Sequence, residues 1–330
     1  MHGGLVVSDQ AVAGGGFRHA AWFYRTPGGY LAGLREFVAA AQAAGEPVLV
    51  AVPASRLPAG WNRPDGQAGV GTVDVGELGR NPARMIPALR AFADEHPGQH
   101  VRVVAELAWA GRSAPEFGEV ARYELMVNLA FAATRITILC PYDAARLPGL
   151  AVSAACASHP WLWQAGHAVG NADYDATAAR QARLGPPLRV PPDARALSYQ
   201  HDLRPVRVLV ASEAARAGLS GARCTDLVIA ASEVAANTLK HTRGGGVIRV
   251  WVTSDEVLCQ FDDSGHIDDP LAGYGRPAGD VPGGQGLWLV NQVCDLAEIR
   301  TSAVGTTIRL HMSRDGMGMS LPDRAAAGRA

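Results

Sequence analysis

Apolar residues follow two alternating patterns along the first 170 residues. Short runs rich in Val and Ile start near Gly45 ("GEPVLVAVP"), His100 ("HVRVVAELAW") and Ala133 ("ATRITILCPYD"), and turn residues at their ends predict buried strands. Apolar positions at helical spacing predict helices in "GGYLAGLREFVAAAQAAG", "NPARMIPALRAFADEH" and "PEFGEVARYELMVNLAFAA". Strands that alternate with helices indicate a mostly parallel sheet covered on both faces, so we expect an α/β domain over residues 1–170.

The pattern changes after residue 170. The stretch "LGPPLRVPPDARAL" has two Pro-Pro pairs and no long apolar run, which predicts an extended linker over residues 171–199, with a helix over residues 175–183 as the alternative for its first part. Helical spacing then returns in "VRVLVASEAARAGL", from about Cys224 to His241, and in "GLWLVNQVCD". Hairpin patterns stand at "GGVIRVWVTSDEVLCQFDDSG" and "AEIRTSAVGTTIRLHM". These elements predict a two-layer α/β sandwich over residues 200–312, followed by a disordered tail over residues 313–330.

Composition narrows the class of protein. A chain of 330 residues with 48% hydrophobic and 18% charged residues can form two globular domains. The 30 basic and 31 acidic residues nearly cancel, which argues against direct binding of nucleic acid or of an anionic membrane. Without a long apolar run or a signal-peptide pattern, a cytoplasmic location is expected.

The cysteines are odd in number and never spaced as CxxC. Neither a disulfide framework nor a structural zinc site is therefore expected, and burial as small apolar side chains is the simpler interpretation. They stand at Cys140, Cys156, Cys224, Cys259 and Cys294.

Four short stretches in the second half contain polar residues or glycines. Their residue types and their order along the chain favour a binding site for ATP. Glu233, Asn237 and His241 share one face of the predicted helix in "EVAANTLKH", and "DDSGHI", "GGQGLW" and "GTT" follow. Taken singly, a polar stripe is usually a solvated face, Asp-Ser-Gly a turn and Gly-Gly a flexible loop. The combination favours a nucleotide site.

Each stretch carries chemistry that ATP requires. Asn237 offers an amide oxygen to Mg²⁺, and Glu233 can accept a proton from an attacking hydroxyl. Asp263 can accept a hydrogen bond from an exocyclic amine such as that of adenine. Glycines before a helix expose backbone N–H groups to phosphate. The further candidates for nucleotide binding are Gly265, Gly284, Gly286, Leu287, and either Thr306 or Thr307 as a contact to the base.

Residues 204–311 resemble the GHKL ATPase superfamily, and most closely the bacterial anti-sigma factor serine kinases. The helix stripe matches the family's N box, and "DSGHI", "GGQGLWLV" and "GTTIRL" match its three glycine boxes. The resemblance implies the Bergerat fold, with Glu233 as general base, Asn237 as Mg²⁺ ligand, Asp263 as adenine contact and residues 266–284 as a lid. Ile267 replaces the usual second glycine of the first box, and Arg276 alone is basic in the lid. His241 is assigned to the helix end, where its ring faces the helix dipole.

Residues 17–165 resemble the MEDS domain, a sensory module related to RecA-like ATPases. The stretch lacks the Gly-Lys-Ser/Thr triplet of a P-loop, so nucleotide binding there is not expected. The resemblance implies a pocket for a small ligand, and a Cys140–His19 nucleophilic pair is an alternative. Each position has a structural role as its simpler explanation; the pocket candidates are His19, Tyr24, Glu106, Trp109, Arg112, Glu124, Asn128, Cys140, Tyr142, Asp143 and His159.

Together the two resemblances imply a signalling switch in which a sensory domain controls an ATP-binding domain. The second domain would sequester a sigma factor, or phosphorylate Ser or Thr on an anti-anti-sigma (STAS) protein, and would form a homodimer. The alternative is a non-catalytic module whose affinity for its partner is set by ATP. A histidine kinase is disfavoured, because a Pro-rich stretch rather than a two-helix dimerisation segment precedes the ATP-binding domain.

Overall fold

The chain divides into two compact units, described here from a computed structural model of residues 16–61, 69–185, 187–275 and 285–314. The first unit comprises Met1–Gly76, Ala88–Ala110 and Glu124–Ala178. The second comprises Glu77–Pro87, Gly111–Tyr123 and Ala179–Ala330.

A seven-stranded sheet forms the centre of the first unit, in the order β3-β2-β4-β5-β1-β6-β7. All neighbours are parallel except β6 and β7, which form an antiparallel hairpin at the edge. The mostly parallel α/β architecture predicted for this half is confirmed. The strands are β1 (Arg18–Tyr24), β2 (Val48–Val52), β3 (Val70–Asp74), β4 (Val101–Ala105), β5 (Ile136–Asp143), β6 (Trp161–Gln164) and β7 (His167–Gly170).

Helices connect these strands, and α1 shows why the sequence folds as it does. Thr26 caps its first turn by accepting a hydrogen bond from the backbone N–H of Gly29 at 3.0 Å, and Pro27 occupies the first helical position. Leu34 and Phe37 are fully buried in the core that covers one face of the sheet. The helices between the strands are α1 (Pro27–Ala43), α2 (Val75–Leu78), α3 (Met85–Asp94), α4 (Ala114–Ala130) and α5 (Gly149–Ser158), and α6 (Ala178–Gln181) follows β7. Of these helices, α2, α3, α4 and α6 include residues of the second unit.

The second unit is built on an antiparallel sheet in the order β11-β12-β10-β9-β8. Helices α7 (Arg204–Arg216), α8 (Gly221–His241) and α9 (Gln285–Val293) share one apolar core with the sheet. The predicted two-layer α/β sandwich is confirmed. Its strands are β8 (Arg195–Tyr199), β9 (Gly246–Val252), β10 (Glu256–Asp263), β11 (Leu296–Ser302) and β12 (Gly305–Ser313).

The structure differs from the sequence prediction at both ends of this unit. Arg195–Tyr199, predicted as the end of a linker, forms edge strand β8 against β9. Ser313, predicted in the tail, ends β12, because it pairs with Glu256 of β10, and its backbone N–H also donates to the carboxylate of Asp295 at 2.8 Å. Residues 315–330 lie outside the described residues. None of the described helices is both long and apolar enough to cross a membrane.

Candidate functional site

Helix α8 presents Glu233 and Asn237 one turn apart, both half-buried. The opposite side of the helix is apolar, with Val234 and Ala235 buried in the core of the second unit. His241 is exposed in the last helical turn, as its assignment to the helix end predicts. The core contacts of α8 therefore fix the direction of its polar face.

The first turn of α9 meets this polar face at Gly286. A Cβ at that position would lie 2.9 Å from Oε2 of Glu233 and 3.1 Å from Nδ2 of Asn237. The lack of a side chain therefore leaves space beside both polar groups, at a helix N-terminus that favours anions. Leu287, the next residue, is half-buried and packs against the core. Gly284 and Arg276 lie outside the described residues.

Asp263 ends β10 and is held in place by two hydrogen bonds. Its Oδ2 accepts from the hydroxyl of Thr238 at 2.6 Å, and its Oδ1 accepts from the backbone N–H of Gly265 at 2.8 Å. Tyr199 donates in turn to Oγ1 of Thr238 at 3.1 Å. A carboxylate has about four acceptor positions, so roughly two remain for a ligand such as an exocyclic amine.

The two candidate threonines face opposite sides of the sheet. Oγ1 of Thr306 donates to the carbonyl of Gly265 at 2.7 Å, beside Asp263, whereas Oγ1 of Thr307 donates to Asp262 at 2.7 Å. Because successive strand residues alternate in direction, Thr306 belongs with Asp263 and Thr307 does not. The structure thus brings together Glu233, Asn237 and Gly286 around one point, and Asp263, Gly265 and Thr306 around another.

Gly305 explains how β12 reaches the end of β10. Its φ is 134°, and a Cβ there would lie 1.9 Å from the carbonyl oxygen of Asp263. Only glycine fits this approach. The third glycine stretch therefore shapes the backbone around Asp263.

Thr238 and Tyr199 were missed by the sequence reasoning. Thr238 is a hydroxyl on the buried side of α8, four residues after Val234, and this polar position on an apolar face was the signal that could have revealed it. Tyr199 lies in β8, inside the predicted linker, and carries no comparable signal in the sequence.

In the first unit, the predicted pocket residues separate into two clusters on opposite faces of the sheet, because His19 and Tyr24 point to opposite sides of β1. The first cluster joins His19, Glu124, Cys140 and His159, all buried. Burial lowers the pKa of His19 to about 4 and that of His159 to about 3, so both imidazoles are neutral at pH 7.

The second cluster lies where β1 and β4 end. Tyr24 donates to Oε1 of Glu106 at 3.2 Å, and Arg56 donates to the Tyr24 hydroxyl at 2.5 Å. Burial raises the pKa of Glu106 to about 7, even though Arg56 opposes the shift. This edge of a parallel sheet is where α/β folds bind ligands.

The remaining pocket candidates have other surroundings. Asp143 accepts from the backbone N–H of Ala145 at 3.1 Å and orders a turn, while Trp109 is buried. Tyr142 donates to Oε1 of Glu124 at 3.0 Å and so adjoins the first cluster. Arg112 belongs to the second unit, where it donates to the carbonyl of Gly79 at 2.6 Å.

Two family models match the chain. Residues 18–160 match the MEthanogen/methylotroph, DcmR Sensory domain (MEDS), and residues 198–312 match the histidine kinase-like ATPase domain. The chain carries a MEDS domain followed by an ATPase domain of the GHKL type. No curated protein matches the chain significantly. The combination supports a regulatory, ATP-binding signalling protein, and an ATPase domain of this class implies nucleotide binding, usually with Mg²⁺.

Proposed function

We propose that this protein is an anti-sigma factor and serine/threonine kinase that binds Mg-ATP in its ATPase domain under the control of its MEDS domain. The observation that carries the proposal is the convergence of Glu233 and Asn237 on Gly286 at the first turn of α9. A carboxylate, an amide and the N-terminal turn of a helix meet there, which is the set that phosphoryl transfer needs for a base, a metal ligand and an anion site.

The residues present fit Mg-ATP. The space that a Cβ would fill at Gly286 borders Oε2 of Glu233 and the amide of Asn237. In this proposal the amide of Asn237 holds Mg²⁺, and Asp263 with Thr306 receives the adenine. ATP supplies the phosphoryl group. Glu233 accepts at a carboxylate oxygen the proton of the Ser or Thr hydroxyl on the partner.

The protein partner is proposed from the resemblance alone. A sigma factor would be the sequestered partner, and a STAS-type anti-anti-sigma protein the phosphorylated one. In the same proposal the protein works as a cytoplasmic homodimer, and a small ligand binds the MEDS domain. The cluster of Tyr24, Glu106 and Arg56 is the proposed ligand site, because it combines buried polar groups with the carboxyl edge of the sheet.

The decisive experiment combines γ-labelled ATP with candidate STAS proteins. We expect Glu233→Gln to lose phosphoryl transfer while ATP affinity, measured by calorimetry, stays within about twofold, because the base acts only in the chemical step. Asn237→Ala should lose both phosphoryl transfer and ATP binding. Glu95→Gln, at an exposed glutamate, is the matched control.

Other outcomes would redirect the proposal. Unchanged transfer in Glu233→Gln would remove the base assignment. If the wild type transfers no phosphate while ATP still changes its affinity for a sigma factor or STAS protein, the chain is instead a non-catalytic, nucleotide-gated binding module.

A further inference from the structure

Four side chains that can ligate a metal meet inside the first unit, where the spacing along the sequence gives no metal motif. His19 comes from β1, Cys140 from β5, Glu124 from α4, and His159 follows α5. Their ligand atoms all lie within 4.8 Å of one another, and none of the four residues is more than 2% exposed. If no metal ion is bound, hydrogen bonds within the cluster must satisfy all four polar groups.

Hydrogen bonds at Nδ1 of each imidazole fix the direction in which its ring points. Nδ1 of His159 lies 2.8 Å from the carbonyl oxygen of Ala155, which can only accept, so Nδ1 carries the proton. Nδ1 of His19 lies 3.0 Å from Oδ1 of Asn128. That amide is oriented by its Nδ2, which donates to the carbonyl of Ser158 at 2.7 Å. Both imidazoles therefore turn the lone pair of Nε2 into the cluster, as metal-bound histidines do.

The donor atoms are spaced as around a small ion. Oε2 of Glu124 lies 3.1 Å from Nε2 of His19, 3.5 Å from Sγ of Cys140 and 3.6 Å from Nε2 of His159. Sγ of Cys140 lies 3.4 Å from Nε2 of His19. Ligands about 2.0–2.3 Å from a tetrahedral zinc ion lie roughly 3.3–3.8 Å apart. These four separations need only small side-chain movements to match, and the remaining two, from His159 to the ligand atoms of His19 and Cys140, are at most 4.8 Å.

Without a metal ion, the hydrogen bonds of this cluster leave one acceptor without a donor. The thiol of Cys140 or a protonated Oε2 of Glu124 can donate to Nε2 of His19, whereas neither lies within hydrogen-bond distance of Nε2 of His159. The structure shows this deficit, because Nε2 of His159 is buried and has no hydrogen-bond partner. A buried acceptor without a donor costs about 1–3 kcal/mol. A cation would accept all four lone pairs at once.

Charge also favours a divalent ion. With Glu124 and Cys140 ionised and both imidazoles neutral, the ligands carry two negative charges, which a divalent cation neutralises. Metal binding displaces the thiol proton of Cys140, together with any proton on Oε2 of Glu124, to solvent as the metal–sulfur and metal–oxygen bonds form. Thiolate and imidazole ligands in a tetrahedral array select zinc over Mg²⁺ or Ca²⁺, which prefer oxygen ligands and higher coordination numbers.

We propose that the MEDS domain binds one zinc-class divalent ion through Nε2 of His19, Nε2 of His159, Sγ of Cys140 and Oε2 of Glu124. Four protein ligands close the coordination sphere, which is typical of a structural rather than a catalytic zinc site. Tyr142 completes the outer shell by donating to Oε1 of Glu124 at 3.0 Å, which leaves Oε2 directed to the ion. The ion ties two central strands to the helices that cover one face of the sheet.

This assignment replaces the Cys140–His19 nucleophilic pair. The two atoms are close, at 3.4 Å, but metal binding occupies both the thiolate and the imidazole lone pair. Cys140 is also fully buried, so a substrate has no direct approach to its sulfur. A reactive thiol and a metal-bound thiolate make opposite predictions for alkylation, because the metal protects the sulfur.

The test uses the full-length, tag-free protein, because a polyhistidine tag would bind metal itself. Elemental analysis should find about one zinc ion per chain. After removal of zinc by a chelator, Co²⁺ should restore one equivalent, with tetrahedral ligand-field bands in the visible and a thiolate-to-cobalt charge-transfer band in the near ultraviolet.

Variants locate the site. Cys140→Ser should lose the charge-transfer band, and His159→Ala should weaken Co²⁺ binding by more than the roughly 10- to 100-fold that loss of an outer-shell partner costs. Cys156→Ser is the matched control, because Cys156 is a half-buried cysteine of the same unit that does not belong to the cluster. Circular dichroism checks that each variant is folded.

Two results would overturn the proposal. One is that wild-type protein, given equimolar Zn²⁺ or Co²⁺ and passed through a desalting column, retains neither ion. The other is that Cys140→Ser keeps the charge-transfer band, which would place the bound ion on another cysteine. The first result needs no variant and therefore stands even if a substitution prevents folding.

Discussion

The carboxylate of Asp263 accepts hydrogen bonds from the hydroxyl of Thr238 and from the backbone of Gly265. Replacing Thr238 with the isosteric Val removes the first bond, so of these two donors only the backbone N–H of Gly265 still orients the carboxylate of Asp263. A hydrogen bond to a charged group contributes about 1.5–3 kcal/mol, so we expect ATP affinity to fall about tenfold or more. Calorimetric titration with ATP measures this change.

Thr225→Val is the control for that substitution. Thr225 is exposed on the same helix, and its hydroxyl donates to the backbone carbonyl of Gly221 at 2.9 Å rather than to a carboxylate. Equal ATP affinities in the Thr238 and Thr225 variants would show that the orientation of Asp263 is unimportant for the nucleotide.

The surroundings of His311 predict that the free energy of unfolding depends on pH. Burial opposes its charged form, but hydrogen bonds to Glu256 and Glu298, each at 3.0 Å, outweigh burial and raise its pKa from 6.5 to about 9. A raised folded-state pKa stabilises the protein fully below pH 6.5, and this stabilisation is lost as the pH rises through 9. It amounts to about 3 kcal/mol at most.

Urea unfolding of wild type and His311→Gln between about pH 6 and about pH 9.5 tests this sign. The difference in unfolding free energy between the two proteins should be largest at the acidic end and shrink toward the alkaline end. The groups around the ring include Arg309, whose Nη1 lies 3.7 Å from Glu298, and Arg300, so their charges are common to both proteins. His241→Gln, at an exposed histidine, is the control substitution.

Helix α9 is held at the end opposite to Gly286 by Arg84. The guanidinium donates to the carbonyl of Asn291 at 2.8 Å and to that of Cys294 at 2.7 Å, which are carbonyls at and just beyond the C-terminal turn. A cation at a helix C-terminus stabilises the helix dipole and satisfies carbonyls that have no partner within the helix. Residues 77–87, which include Arg84, lie inside the match to the sensory domain but belong to the second unit.

We therefore expect Arg84→Ala to loosen α9 and to weaken ATP binding several-fold, although Arg84 is at the far end of the helix from Gly286. Hydrogen exchange of the α9 amides, measured by mass spectrometry, should accelerate. Arg35→Ala, at an exposed arginine on α1, should leave that exchange unchanged. If Arg84→Ala leaves α9 protection at the wild-type level, Arg84 does not support the nucleotide site.

The sequence predicts elements well where their apolar period is long or their turn residues are clear. Helices α7, α8 and α9 and both hairpins of the second unit stand where the spacing places them. Strand β8 is missed because "RALSY" is short, partly polar and preceded by proline pairs, and an edge strand needs only one apolar side. Its pairing with β9 is a tertiary contact that no local pattern encodes.

The two candidate sites also differ in how far the sequence alone predicts them. The candidate nucleotide site could be proposed from the sequence because its residues come in short motifs whose chemistry can be recognised one stretch at a time. The buried cluster of His19, Glu124, Cys140 and His159 was not, since its members lie far apart in the chain and no CxxC-type spacing marks them. Only the parallel pairing of β1 with β5 and the packing of α4 bring these residues together.

The boundary of the second unit does not coincide with that of the ATPase match. Residues 111–123 belong to the second unit, and Oε1 of Glu119 accepts from Arg300 at 3.0 Å. Both residues are at most 8% exposed, and Arg300 also donates to Glu298 at 3.0 Å. Breaking a buried ion pair costs about 3–5 kcal/mol when no other partner remains, so we expect a smaller loss, about 1–3 kcal/mol, for Glu119→Gln.

This loss should fall on the unfolding transition that ATP stabilises, because a ligand raises the stability only of the unit that binds it. Denaturation of the full-length protein with and without Mg-ATP identifies that transition, and Glu119→Gln should lower its midpoint while Glu95→Gln should not. A midpoint that stays fixed in Glu119→Gln would assign residues 111–123 to the other unfolding transition. A lowered midpoint would mean that the unit stabilised by ATP includes residues from inside the sensory match.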